Sequence, residues 1–244
     1  MSLSKLTLLT VASTLALGSL AAHADTLDLG SGPGAFNFNY NGKQQASGGN
    51  YANSSYTYSK SNTTIDFSAV YCVDINHDIN PGNNISATIV TNNTSAIVNG
   101  ATINTTVAEE ISWLLLNITA TSAVQQDALQ SAIWTEEYGS AFSLGTNTGP
   151  LANLSTDMGD DIAMLNTAIL NKELNTGLIA DLDWISPYKT TGFGWDQQTE
   201  TLQGLVGVPP GAGDPPPVPE PGTLSLLGTG ILGLAGVVRR RMTA

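Results

Sequence analysis

The sequence predicts an α+β fold, in which strands resembling a β-sandwich or barrel carry an inserted helical subdomain of about three helices. Three patterns in 25–207 support this prediction. Apolar and polar residues first alternate with a period of two, the apolar residues then follow helical spacing, and a Gly- and Gln-rich C-terminal stretch supplies the final strands. Strands followed by helices and again by strands are typical of α+β domains. The segment has the length of one domain and is long enough to bury a core.

The first part of this segment carries the strand signals. Residues 36–40 alternate apolar and polar side chains and end at an Asn-Gly pair at 41–42, which is typical of a two-residue hairpin turn. A Tyr- and Ser-rich stretch at 51–59 predicts a second strand pair, and 64–74 (TIDFSAVYCVD) is the strongest strand. Short Ile, Val and Thr runs around the Asn-Gly pair at 99–100 predict another hairpin.

Helical spacing replaces the alternation after residue 106. Apolar residues three and four apart predict helices over 107–117 and 125–138, and Thr121 or Ser122 is expected to cap the second. A third helix is predicted over 154–173. Its inward face comprises Ile162, Leu165, Ala168 and Ile169. A short strand at 182–185 then ends at Ser186-Pro187.

The first 24 residues predict a secretory signal peptide. Lys5 supplies positive charge, 6–20 form a short apolar run broken by Ser, Thr and Gly, and 22–24 (AHA) place small residues where signal peptidase reads them. The run is too short and too interrupted for a membrane anchor. We therefore expect export, with cleavage after Ala24.

The C-terminal end has three parts. Residues 208–219 are Pro-rich and predict a stiff, extended linker. Residues 222–238 are uncharged and mostly apolar, close to the ~17–25 residues of a helix that crosses a bilayer. The Arg cluster at 239–241 holds its side in the cytoplasm. The sequence thus predicts one C-terminal transmembrane helix, with the preceding domain outside the cytoplasm.

The order of Pro219-Glu220-Pro221, an apolar span and a closing Arg cluster resembles the PEP-CTERM sorting signal, which here occupies 220–244. The resemblance implies recognition by an exosortase, a membrane transpeptidase that cleaves near the Pro-Glu-Pro motif. It also implies a Gram-negative producer, often one with an exopolysaccharide matrix and biofilm. The expected destination is the cell surface or that matrix. An ordinary tail anchor would place the domain on the same side of the membrane.

Charge and composition exclude several classes of function. The formal net charge is −12 with only eight Lys and Arg, so the surface repels nucleic acid and anionic lipids and favours cations such as amines or metal ions. No phosphate-binding glycine loop, zinc spacing or serine triad occurs, and no cofactor is predicted. We therefore expect a protein that is not an enzyme.

Cys72 is the single cysteine, which excludes an internal disulfide in an exported protein. It lies in YCVD at 71–74, and Gln130 lies in ALQSAIW at 128–134. This pair of motifs resembles the thioester domains of bacterial surface adhesins. The resemblance implies that the Cys72 sulfur and the Gln130 side-chain carbonyl join with loss of ammonia, shielded by Tyr71 and Trp134. The segment 25–207 is then a thioester-like domain.

Such a bond requires a fold that holds the thiol and the carbonyl at near-attack distance and stabilises the developing oxyanion. The product is an activated acyl group, which a surface amine or hydroxyl takes up once, without turnover. The alternative interpretation makes Cys72 a buried apolar residue and Gln130 a solvated one. The protein is then a non-covalent structural or carbohydrate-binding matrix protein, in which exposed Tyr51, Tyr56 and Trp195 contact sugars.

Other polar residues suggest a metal site or a catalytic pair. Asp74, Asn76 and Asp78 alternate as at the start of a calcium loop, but Ile85 occupies position twelve, where calcium needs a bidentate acid. An edge strand gives the same alternation. Pairing of Cys72 with His77 as in a cysteine protease lacks a second signature. The Glu pairs at 109–110 and 136–137 are interpreted as solvated helix faces.

Overall fold

The computed structural model describes residues 24–32, 34–192 and 196–212. The strands in these ranges are β1 (Thr26–Leu29), β2 (Phe36–Tyr40), β3 (Lys43–Ser47), β4 (Asn50–Tyr58), β5 (Thr63–Cys72), β6 (Gly82–Val90), β7 (Ile97–Val98), β8 (Ala101–Thr102), β9 (Phe142–Leu144), β10 (Asp183–Thr191), β11 (Gln198–Thr201) and β12 (Leu205–Gly207). The helices are α1 (Thr105–Asn117), α2 (Ala123–Tyr138), α3 (Leu154–Asn171) and α4 (Thr176–Ala180).

Six strands close into an antiparallel barrel in the order β10, β12, β5, β4, β1 and β6, and β6 pairs again with β10. The short strand β11 lies beside β10 on the same side as β12, since β12 pairs with the first part of β10 and β11 with its last part. A second sheet, in the order β3, β2, β9, lies outside the barrel, and β7 and β8 form a small hairpin. The predicted α+β class with barrel-like strands is confirmed.

The two predicted Asn-Gly hairpin turns are present. Asn41 and Gly42 have φ of 50° and 74° between β2 and β3, and Asn99 and Gly100 have φ of 53° and 76° between β7 and β8. Two-residue hairpins of this type need positive φ at both central positions, which Asn tolerates and Gly adopts freely. These turns set the register of their hairpins.

The helices α1 to α4 enter the chain between the β7–β8 hairpin and β10, as the predicted inserted subdomain requires. Ser122 caps α2: its side chain accepts a hydrogen bond from the Gln125 N–H, and the Gln125 side chain accepts one from the Ser122 N–H. This reciprocal arrangement satisfies two backbone donors that the helix cannot pair itself. It fixes the start of α2 at Ala123, seven residues before Gln130.

Two clusters of buried side chains form the core. One takes residues from all six barrel strands and therefore fills the barrel interior, including Leu27, Tyr56, Cys72 and Leu205. The other joins the outer side of β5, β10 and β12 to the helices. Because neighbouring residues of a strand point to opposite faces, Cys72 belongs to the interior cluster and Tyr71 to the helix-side cluster.

Three expectations about individual side chains are wrong. Tyr51 and Tyr56 are 7% and 0% exposed, because their side chains enter the core and their hydroxyls donate to the Ile79 carbonyl and to the Asp25 carboxylate. They therefore offer no surface to a sugar. Ile169 is 40% exposed, because α3 buries a narrower face that includes Leu165 and Ala168.

The strand at 182–185 is also longer than predicted. β10 continues through Pro187, which lacks an N–H and would interrupt a fully paired strand. Pro187 lies in the gap between the residues that pair with β12 and those that pair with β11. Its carbonyl accepts from the Leu202 N–H at 3.0 Å, and the Leu202 carbonyl accepts from Asn99 Nδ2 at 2.9 Å, so it does not need a proline N–H.

Several predictions fall outside the described residues. They concern the signal peptide up to residue 23, Trp195, the sorting motif Pro219-Glu220-Pro221 and the apolar span 222–238. Within the ranges that the structure describes, none of the helices has the length and hydrophobicity of a membrane span.

Candidate functional site

The structure brings Cys72 and Gln130 into direct contact. The Cys72 N–H donates to Gln130 Oε1 at 2.8 Å, and Gln130 Nε2 donates to the Cys72 carbonyl at 2.8 Å. Both residues are 0% exposed. The side-chain amide of Gln130 is thus held in a fixed orientation against the backbone of Cys72, across a separation of 58 residues in sequence. The interpretation of Gln130 as a solvated residue is wrong.

Gly49 also packs against the Gln130 amide. Its carbonyl accepts from the Cys72 N–H at 2.7 Å, so this N–H is shared between Gly49 and Gln130. A Cβ at position 49 would lie 2.5 Å from Gln130 Cδ, closer than real Cβ contacts come. Only glycine therefore lets the chain approach the Gln130 amide so closely.

Helix α2 is buried on every side where it carries Gln130, from Asp127 to Trp134. Trp134, one turn after Gln130, lies in the same core cluster as Cys72. Its ring packs at 5.1 to 5.8 Å from Phe36, Phe38 and Phe142, measured between ring centroids. The second sheet thus covers the site with aromatic side chains. Of the two residues predicted to shield the pair, Trp134 shares the Cys72 cluster and Tyr71 does not.

The electrostatic surroundings keep the thiol protonated. Burial, with the negative charges of Asp74 and Glu137, raises the pKa of the Cys72 thiol well above its usual range. The thiolate is the nucleophilic form, so this shift lowers the reactivity of the sulfur at neutral pH. Any reaction of Cys72 must couple loss of its proton to bond formation.

A buried polar pair lies on the N-terminal side of the site. Asp127, one turn before Gln130, and Asn50, which follows Gly49, are each 1% exposed. Burial raises the pKa of Asp127 to about 6, and a contact with the Asn50 amide opposes this shift without reaching regular hydrogen-bond geometry. Among the described residues, Asp127 Oδ1 finds no hydrogen-bond partner. Such a group is costly to bury and is typical of functional sites.

A half-buried glutamate also lies on the C-terminal side. Glu137 follows Gln130 by two helical turns, and its Oε2 atom is buried without a hydrogen-bond partner in the part of the chain that the structure describes. Burial and the negative charge of Asp74 raise the pKa of Glu137 to about 8, and a contact with the Tyr138 hydroxyl opposes this shift without giving Oε2 a regular hydrogen bond. The interpretation of Glu137 as part of a solvated face is therefore wrong. Glu137 and Asp74 line a cavity of about 470 Å³.

The predicted calcium-loop residues are occupied with one another and their neighbours. Asp74 accepts from the Asn76 N–H and from Asn99 Nδ2, and its Oδ2 lies 2.6 Å from His77 Nδ1. No group of three or more His, Cys, Asp or Glu side chains in the described part of the chain is arranged to hold a metal ion. We assign no metal site here, and the calcium-loop interpretation involving Asp78 stays a prediction. His77 is paired with Asp74 and not with Cys72.

Sequence reasoning missed four residues of the site: Gly49, Asn50, Asp127 and Glu137. Asp127 and Glu137 lie three residues before and seven after Gln130, on nearly the same helical face, and that spacing is the one available signal. Gly49 and Asn50 approach through the pairing of β4 with β5, which places Asn50 opposite Tyr71. No local sequence pattern predicts this contact.

Comparison with known proteins identifies one feature of the chain. The model of the PEP-CTERM protein-sorting motif matches residues 217–241. No curated protein and no solved structure matches the chain. The sorting motif indicates an exported protein that an exosortase processes at the membrane.

Proposed function

We propose that the exported protein becomes a surface or extracellular-matrix component with an internal thioester between Cys72 and Gln130. Through this bond it attaches covalently to amines or hydroxyls on another surface. The observation that carries the proposal is the pair of 2.8 Å hydrogen bonds between the Gln130 amide and the Cys72 backbone. They bring the side-chain amide of Gln130 next to the only cysteine of the chain in a buried site.

The hydrogen bond to Gln130 Oε1 supports the bond-forming step. The Cys72 sulfur attacks Gln130 Cδ, the Cδ–Nε2 bond breaks, and the nitrogen leaves as ammonia with the thiol proton. During this step negative charge develops on Oε1, where the Cys72 N–H already donates a hydrogen bond. A backbone donor aimed at the developing oxyanion is the usual way in which acyl-transfer sites lower the barrier.

Burial supports the second requirement, which is protection of the product. A thioester hydrolyses in water, and Cys72, Gln130 and Trp134 are all at most 1% exposed. Each molecule would react once with its acceptor and would not turn over, so the protein would act as a binding module and not as an enzyme. Signal peptidase and exosortase are its expected processing partners.

The intact mass of the purified full-length protein tests the proposal, measured at neutral pH without reductant. We expect a mass short by one ammonia, and a Cys72→Ala variant with its full calculated mass. Methylamine should then restore the wild-type mass with an adduct at Gln130. A full mass in the wild type, with the thiol free after denaturation, would refute the thioester.

That outcome would leave the alternative, a non-covalent structural protein of the matrix in which Cys72 is a buried apolar side chain. The complete burial of Cys72 favours this alternative as well as the thioester. The alternative does not explain why Gln130, a polar residue, is buried against Cys72 to the same extent.

A further inference from the structure

A cavity of about 470 Å³ lies next to the Cys72–Gln130 pair. Val73, which follows Cys72, and Glu137, two turns after Gln130 on α2, both line it. The remaining lining comes mainly from the β7–β8 hairpin and the start of α1. This volume falls within the ~300–1,000 Å³ of small-molecule sites.

The lining combines two kinds of surface. Val98, Ile103 and Val107 offer apolar contacts, whereas Asp74 and Glu137 offer carboxyl groups. Among the described residues no Lys or Arg side chain lines the cavity, so no side chain of these two types repels an incoming cation. An apolar wall that leads to a carboxylate matches an alkyl chain ending in an ammonium group, as in a lysine side chain or a polyamine.

We propose that this cavity receives an alkylammonium acceptor, and that Glu137 removes the acceptor's proton before the amine attacks the thioester. The inference rests on the proposed function and specifies amines as the acceptor class. The buried Oε2 of Glu137, which has no regular hydrogen bond among the described residues, is the structural feature that calls for a cationic partner.

The proposed step balances. The ammonium group gives one proton to Glu137, and the free amine nitrogen bonds to Gln130 Cδ while the Cδ–S bond breaks. The Cys72 thiolate takes the proton held by Glu137, and the nitrogen releases its second proton to solvent. A base whose pKa lies near neutrality suits this transfer, and a nearby cation favours its ionised form.

The cavity does not yet reach the reacting atoms. Cys72 and Gln130 do not line it, so the wall formed by Val73 and Glu137 must move before the amine meets Gln130 Cδ. The acceptor's charge acts on Glu137, which belongs to that wall. Pairing with the acceptor therefore provides a reason for the wall to move only when a cation is present.

A Glu137→Gln variant of the full-length protein tests the role of the carboxylate. Gln has the shape of a protonated Glu, so the fold and the ammonia deficit should be retained. We expect methylamine, an ammonium ion at neutral pH, to react about a hundredfold more slowly than with the wild type. Hydroxylamine, which is uncharged at the same pH, should react at the wild-type rate, a difference that mere loosening of the site would not produce. Glu136→Gln is the matched control.

A second variant tests the cavity itself. Ala101 is exposed and lines the cavity, so Ala101→Trp narrows it without disturbing the core. It should slow the reaction of an Nα-blocked lysine while methylamine reacts as before. Wild-type methylamine rates in Glu137→Gln, or equal rates of the blocked lysine in the wild type and in Ala101→Trp, would overturn the inference. The ammonia deficit, read before any amine is added, shows separately whether the thioester exists.

Discussion

Replacing Gly49 with Ala is expected to drive Gln130 away from Cys72. The added Cβ would lie 2.5 Å from Gln130 Cδ and Cγ and 2.8 Å from Oε1. Carbon atoms pack at about 3.5–4.0 Å, so the amide must retreat by about 1 Å. Each hydrogen bond to Cys72 would then lengthen from 2.8 Å to more than about 3.5 Å, where hydrogen bonding is lost.

The free energy of unfolding should fall by about 2–4 kcal/mol, because two buried hydrogen bonds are lost and buried polar groups are left unsatisfied. Urea unfolding measures this effect in a Cys72→Ala background, which keeps the backbone partners of Gln130 but cannot form a thioester. With Cys72 present, Gly49→Ala should also abolish the ammonia deficit, because a displaced carbonyl is out of reach of the sulfur.

Gly159 provides the control, since it lies on the exposed side of α3, where no atom of the described residues comes within 4 Å of an added Cβ. Gly159→Ala should stabilise the protein by up to about 1 kcal/mol, as Ala does in a helix interior. The reasoning is refuted if Gly49→Ala unfolds in the Cys72→Ala background as Gly159→Ala does, or if it keeps the ammonia deficit.

Three other predictions concern stability. A 72–130 cross-link closes a loop of 58 residues, so Cys72→Ala should lower the free energy of unfolding by about 4 kcal/mol in urea, and an unchanged value would argue against the bond. Ser122→Ala removes the α2 cap and should cost about 1 kcal/mol by the same assay. Burial raises the pKa of Asp127 and Asp183 to about 6, above their unfolded values, so the native state holds more protons than the unfolded state between about pH 4 and 6. The free energy of unfolding should therefore fall as the pH rises through this range. Asp127→Asn and Asp183→Asn should each remove part of this slope, on the order of 1 kcal/mol, in urea titrations across that range.

Local features of the fold were predictable from the sequence. The hairpin at Asn41-Gly42, the long strand that ends at Cys72 and the cap at Ser122 depend on residues a few positions apart. Backbone preference and side-chain capping act over that distance, so their patterns survive in the sequence. Pairing of Cys72 with Gln130 came from the resemblance of two motifs and not from periodicity.

Features that depend on distant pairing were not predictable. The sequence pattern around Tyr56 predicts an exposed side chain, yet closure of the barrel through β6 and β10 places that side chain in the interior. Asp127 and Glu137 look like ordinary solvated residues of a helix, until the second sheet and the β7–β8 hairpin cover α2. The chain beyond residue 212 carries the sorting motif, which was recognised from its own sequence.

The pairing of β5 with β12 has a mechanical consequence. A bound acceptor would pull at Gln130 on α2, whereas the chain that leads to the sorting motif leaves from β12. Cys72 is the register partner of Leu205 in β12, so the two points of load are only one strand apart. In the proposed reaction, attachment would break the covalent link between α2 and β5. Tension would then pass between α2 and β5 only through hydrogen bonds and the packing of Trp134, and the lifetime of the proposed attachment would depend on this contact.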